Sequence, residues 1–117
     1  MPAPDLPIPE AAARLRDGSL TAVELTEAHL DRIAALDPDI RAFVAVAPDA
    51  ARAAAAEADR ELAGGCDRGP LHGIPVAVKD LIDVEGFPTA CGSRLRAGEI
   101  AGDDAVVVTR LRAAGAV

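Results

Sequence analysis

Apolar and polar positions along this chain follow two rhythms, one helical and one extended. Pro2, Pro4, Pro7 and Pro9 predict an extended entry arm, and Glu10 to Asp17 reads as a short helix. Gly18 is placed to close that helix, because glycine takes the left-handed conformation of a helix C-terminus at little cost. Thr21-Ala22-Val23-Glu24 fits a capping box, in which threonine and glutamate each bond the other's backbone N–H. The helix after it is predicted to run to about Leu36 and to stop before Asp37-Pro38, since the residue before a proline avoids helical geometry. Glu24, Glu27 and Asp31 form one narrow acidic stripe along it. Val23, Leu25, Ala28, Leu30, Ile33 and Leu36 cover much of the remaining circumference, which predicts burial on more than one side.

Ala42 to Val46 is short and β-rich and is predicted to be a strand. Asp49 to about Ala63 reads as an alanine-rich helix, with Pro48 at its start and Gly64-Gly65 beyond its end. Pro75 to about Val84 is the strongest strand candidate, and Gly86 to Gly102 is loop-like. Asp103 or Asp104 is expected to cap a last helix that buries Val107, Leu111 and Ala114 and ends at Gly115. Ala116-Val117 then looks like the beginning of another strand. Strand, helix, strand, helix and an incipient strand predict an α/β layered fold. The sheet is expected to be unfinished, so the chain reads as the front portion of a longer domain.

Composition narrows the picture. The 117 residues make one domain at most, half of them hydrophobic but only 2% aromatic, with no Trp or Tyr. The core must be built from Ala, Val, Leu and Ile. Burial yields only about 25 cal/mol per Å2, so small side chains predict modest stability. The net charge of -7 argues against direct nucleic-acid binding, which uses a basic patch. No apolar run approaches the ~20 residues of a membrane span. The N-terminus lacks the basic and apolar regions of a secretory signal. Cys66 and Cys91 make neither a metal-ligand spacing nor a disulfide framework, so a reduced, cytoplasmic setting is expected.

One residue carries the chemistry. Lys79 follows Gly69-Pro70-Leu71-His72-Gly73-Ile74-Pro75-Val76-Ala77-Val78 and precedes Asp80. A lysine inside an apolar strand is costly unless it is paired or used. Desolvation there favours the neutral amine, which can act as a base. The bland alternative is a lysine at a strand end, reaching solvent with its stem packed. Strand alternation places Ala77, Lys79 and Leu81 on one face and Val78, Asp80 and Ile82 on the other. Lys79 and Asp80 therefore need separate partners, and Asp80 is expected to bind backbone N–H groups near a turn. His72 reads as a hydrogen-bonding turn residue, with catalysis the lesser reading, and His29 as a satisfied core or edge residue. Cys66 and Cys91 read as inert free thiols, Ser19 as a turn or capping residue, and Ser93 as a loop residue without an adjacent base. No phosphate loop and no Gly-x-Ser-x-Gly elbow is present, and no cofactor is expected.

The stretch from Gly69 to Ser93, GPLHGIPVAVKDLIDVEGFPTACGS, resembles the amidase signature family, ungapped and with its Gly/Pro framework around a Lys-Asp pair. Weaker similarity extends to Gly18-Ser19-Leu20-Thr21, Glu24-Leu25 and Arg32-Ile33. It also takes in Asp104 with Leu111-Arg112-Ala113-Ala114-Gly115-Ala116-Val117. The resemblance implies an amidase-signature fold, a mixed β-sheet between helical layers, incomplete in this chain. Residues 1–117 would be one N-terminal portion: a helical part over about 6–63, the lysine-bearing loop and strand over about 69–93, and a helix leading to a truncated strand over about 103–117. It also implies hydrolysis of carboxylic amides by a Ser–cis-Ser–Lys triad through an acyl-enzyme, with Lys79 as the catalytic lysine and a small-molecule amide as substrate. Neither Ser19 nor Ser93 matches the family's serines, so the chain alone is expected to be inactive. Two alternatives stand beside this reading. One is the amidase component of a glutamine-dependent tRNA amidotransferase, which would need partner subunits. The other is a non-catalytic structural or interaction module.

Overall fold

Local signals written in the first half of the chain become helices where the side chains close them. A computed structural model describes residues 1–117. After a 3₁₀ turn at Ala3–Asp5, α1 spans Ile8–Asp17 and ends at Gly18, whose φ of 77° is left-handed as expected. The capping box opens α2, Ala22–Ile40: Thr21 Oγ1 accepts from the Glu24 N–H at 3.0 Å, and Glu24 Oε2 accepts from the Thr21 N–H at 2.9 Å. Pro48 is the first residue of α3, Pro48–Ala63, where its missing N–H has no helical partner to lose. The last helix, α4, is short, Val106–Ala113.

Several expectations are corrected. α2 does not stop at Leu36; Pro38 lies inside its last turn. Asp37 makes this tolerable by gathering the N–H groups beyond. Its carbonyl accepts from Arg41 at 2.7 Å, and its Oδ1 accepts from Ala42 at 2.7 Å and Phe43 at 3.1 Å. Ala42 to Val46 is not a strand, because no other segment pairs with it and Val44 stands in solvent. Pro75 to Val84 is extended only as far as Lys79 and then turns, Ile82 donating to the Lys79 carbonyl at 3.0 Å. The only β-bridge joins Pro88 and Ile100 within the 86–102 loop. Neither Asp103 nor Asp104 caps α4, whose N-cap is Ala105. Asp104 is spent elsewhere, Oδ1 accepting from the Glu85 N–H at 2.8 Å and Oδ2 from Arg112 at 2.7 Å. On the expected buried face of α4, Leu111 and Ala114 are half-buried, but Val107 is 48% exposed and its neighbour Val108, 4% exposed, is buried in its place.

The core lies where α1, α2 and α3 meet the loop before Lys79. Ala11, Leu15, Leu20, Ala22, Leu25, Ala55, Ala58 and Ile74 form it. Half of these are alanine, so backbones approach closely while little area is buried per residue. Only the first turns of α2 enter this core; Leu36 is 49% exposed, so the many-sided burial expected for α2 is not met within these residues. The α2–α3 contact is held at its two ends by charge. Arg52 clamps Glu27 with Nε–Oε1 at 2.6 Å and Nη2–Oε2 at 3.1 Å. At the other end, Asp59 Oδ1 and Oδ2 accept from the Ala22 and Val23 N–H groups at 2.6 and 3.1 Å.

No strand forms at Ala116–Val117 and no sheet is present, but three backbone hydrogen bonds join the C-terminal residues to the segment before Lys79. Gly73 N–H donates to the Gly115 carbonyl at 2.9 Å, Val117 N–H to Ile74 at 2.9 Å, and Val76 N–H to Val117 at 2.8 Å. One residue bonding to both neighbours of its opposite number is the signature of parallel pairing. The extended segment before Lys79 and the C-terminal residues thus lie side by side in parallel.

Ion pairs on this scaffold predict acid lability. The Arg16 guanidinium, and after it the Gly69 N–H, hold the Asp67 carboxyl below its ordinary value of 3.8. Arg68 holds Glu61 below 4.5. The Glu85 N–H and then Arg112 lower Asp104. A carboxyl whose folded pKa is depressed stabilises the fold above its unfolded pKa and ceases to do so as pH falls through the folded one. The urea midpoint is therefore expected to hold steady above pH 5 and to fall below about pH 4.5, less steeply in high salt. A midpoint that rises on acidification contradicts this.

Candidate active site

Each step of the chain toward Lys79 is fixed by a different group. Arg16 on α1 grips the loop ahead of it, with Nε and Nη2 on the two Asp67 carboxylate oxygens at 2.7 and 2.8 Å and Nη2 also on the Gly69 carbonyl at 2.6 Å. His72 N–H then bonds the Gly69 carbonyl at 3.0 Å, turning the chain inward, and Ile74 enters the core. From Val76 to Lys79 the backbone runs outward and is exposed.

Lys79 therefore stands at the end of an extended segment, immediately before a turn, with its side chain in solvent. The desolvated setting expected of a strand lysine is not met, because nothing in this chain covers that face. No salt bridge reaches it. It is also the only lysine in the chain. Asp80 is half-buried, its Oδ1 accepting from the Ala90 N–H at 3.0 Å and its carbonyl from the Cys91 N–H at 3.2 Å. This is the backbone-binding role expected of it. It ties the 89–91 loop to the residue after Lys79.

The other candidates separate cleanly. His29 Nδ1 donates to the Leu25 carbonyl at 2.8 Å, a satisfied residue at the margin of a groove of about 280 Å3 lined by Leu6, Ile8, Leu25, Ile74 and Val76. Ser19 is a turn residue, its N–H donating to Asp17 Oδ1 at 2.8 Å. Ser93 precedes a 3₁₀ turn at Arg94–Arg96. Cys66 and Cys91 are free and exposed, and Arg96 Nη1 lies 3.5 Å from Cys91 Sγ. No three metal-ligating side chains converge anywhere. His72 is the surprise. It is a hydrogen-bonding turn residue as expected, yet it is 1% exposed and sits among the most buried side chains. Sequence reasoning also missed Asp59, which no local pattern connects to α2.

Residues 24–117 match the family model for Amidase, and the chain belongs to that family. A glutamyl-tRNA(Gln) amidotransferase subunit from Chloroflexus aurantiacus is 53% identical over 112 residues, covering 96% of this chain and 23% of that protein. Its namesake from Acidothermus cellulolyticus is 47% identical over 108 residues, 92% of this chain and 21% of its own length. Among solved structures, the native peptide amidase from Stenotrophomonas maltophilia superposes with a TM-score of 0.91 at 45% identity, over 99% of this chain and 24% of that one. A fatty acid amide hydrolase superposes with a TM-score of 0.90 at 27% identity, over 98% and 20%. The chain thus spans about a quarter of the length of the proteins it matches. Its fold is that of the corresponding part of amidase enzymes, consistent with an α/β architecture. No helix is long and apolar enough to cross a membrane.

Proposed function

We propose that this chain carries the lysine of an enzyme that cleaves or transfers across carboxylic amide C–N bonds, with Lys79 as the base. The observation that carries the reading is the ungapped motif from Gly69 to Ser93, which sets the chain's only lysine at the end of the segment that begins the parallel pairing. In the family mechanism a neutral lysine accepts a proton through a bridging cis-serine. A second serine then attacks the amide carbonyl, and water or ammonia resolves the acyl-enzyme. Backbone N–H donors hold the oxyanion. A lysine base must be neutral at working pH, which requires desolvation. Here Lys79 is exposed, so the remainder of a mixed sheet and its helical layer would have to cover it. Ser19 and Ser93 are both engaged in turns and offer no substitute serine. The working setting is cytoplasmic, with both thiols free.

The chain alone is expected to leave an aryl amide untouched, and turnover that disappears in Lys79→Ala contradicts that. The function itself is tested in a chimera. The chain replaces the 112 matching residues of the Chloroflexus protein, and amide hydrolysis is measured. Lys79→Ala is expected to lower turnover by about 10²- to 10⁴-fold, the usual worth of a general base. A Lys79→Ala chimera as active as its parent removes Lys79 from the chemistry.

A second reading is favoured by the 53% identity to an amidotransferase component. In it the amide is glutamine, the released ammonia is passed on, and partner subunits are required. Glutamine hydrolysis that appears only with those partners supports this reading. Hydrolysis of simple amides without them supports the stand-alone amidase. A non-catalytic module predicts neither.

A further inference from the structure

Between α3 and the C-terminal turn lies a buried ring that the proposed chemistry does not use. His72 Nδ1 accepts from the Arg68 N–H at 3.1 Å, which places the ring proton on Nε2. Nε2 stands 2.9 Å from Glu61 Oε2 on α3, a contact too bent to count as a hydrogen bond. Arg68 in turn holds the same carboxylate through Oε1. The ring also packs closely against Gly115. A methyl group at Gly115 would fall 2.4 Å from His72 Cδ2 and 2.8 Å from Cγ, where no carbon can be accommodated. The φ of +78° at Gly115 is also one that side-chain-bearing residues avoid.

The three backbone bonds of the parallel pairing begin at these residues. Gly73, next to His72, bonds Gly115 itself, and Ile74 and Val76 bond Val117. Strand register is weakly determined where few rungs exist, so something other than the ladder must choose it. We propose that His72 is a positioning residue: its ring, keyed into the space above Gly115 and anchored to Arg68 and Glu61, sets the register in which the Lys79 segment lies along Gly115–Val117. The consequence for catalysis rests on the reading of Lys79 as base; the register does not.

Amide hydrogen exchange on the 117-residue chain tests this, with ¹⁵N shifts reporting the His72 tautomer. In the unaltered chain the Val76 and Val117 amides are expected to be protected, and His72 to carry its proton on Nε2. In His72→Ala, and independently in Gly115→Ala, both amides should exchange about tenfold faster or more, the worth of roughly one hydrogen bond. The Ala22 and Val23 amides, held by Asp59, should keep their protection. In His72→Asn, whose Oδ1 replaces Nδ1 as acceptor for Arg68, part of the protection at Val76 and Val117 should return. Four results overturn the proposal. They are unprotected Val76 and Val117 amides in the unaltered chain, protection unchanged in both variants, loss at Ala22 and Val23 in step with Val76, and His72→Asn no better than His72→Ala. Exchange is read without turnover, so an inactive chimera leaves this result standing, and the reverse.

Discussion

Leu25→Ala is expected to remove most of the stability this chain has. Leu25 is 2% exposed and is among the largest fully buried side chains. Its neighbours in the core are mainly alanines from α1, α2 and α3, with Leu15, Leu20 and Ile74. Truncating a buried leucine costs about 2–5 kcal/mol, and the cost rises with the cavity left behind. Alanine neighbours cannot change rotamer to fill such a cavity, which points to the upper part of that range. Small domains hold only about 0.05–0.15 kcal/mol per residue in total. A core of eight residues, half of them alanine, places this chain toward the low end. The variant should therefore show a broad, shifted or absent urea transition. Leu95→Ala is the matched control: Leu95 is 96% exposed, and its loss should change the stability by no more than about 0.5 kcal/mol. Equal effects of the two substitutions contradict the core assignment.

Much of this core is visible along the sequence, and the reason is range. The Thr21–Glu24 capping box, the Gly18 stop and the Pro48 start depend on atoms within four residues of one another, so local chemistry settles them. The backbone-binding role of Asp80 beside a turn is legible in the same local way. What fails is decided at long range. Ala42–Val46 has strand composition but no partner, and a strand is defined by its partner. Val76, Ala77 and Val78 are apolar and predict an interior setting for Lys79, yet burial needs a covering layer that these 117 residues do not supply. Pro38 signals a stop, and Asp37 overrides it by accepting three N–H groups beyond the helix. The burial of His72 depends on Gly115, 43 positions later by the numbering, a relation that no periodicity encodes.

These failures share a direction. Leu36, Val78, Lys79 and Val107, all expected to be buried, are left exposed, while the residues holding the loop before Lys79 contact one another. Arg16, Asp67, Glu61, Arg68 and His72 converge there from α1, α3 and the loop itself. The chain thus organises the approach to Lys79 more completely than it organises Lys79's own surroundings.

Asp59→Ala should be the most damaging change to a charged residue. Most ion pairs here are exposed, and such pairs are worth about 0–1 kcal/mol. Asp59 differs in what it binds. It reaches from α3 to the first two N–H groups of α2, at 2.6 and 3.1 Å. Those donors have no partner within their own helix. Ala22 is completely buried, so water cannot replace the lost acceptor without opening the α2–α3 contact. Hydrogen bonds to a charged group contribute about 1.5–3 kcal/mol, and a carboxylate at a helix N-terminus also meets the positive end of the helix dipole. A loss of about 2–3 kcal/mol follows for Asp59→Ala. Asp59→Asn should fall between, because an amide offers one acceptor where two donors converge. Thr21→Ala, which removes the neighbouring local cap, should cost about 1 kcal/mol. Urea midpoints for the three variants give the order Asp59→Ala, Asp59→Asn, Thr21→Ala. If Thr21→Ala proves the worst, α2 is held by its own capping box, and the long-range carboxylate is incidental.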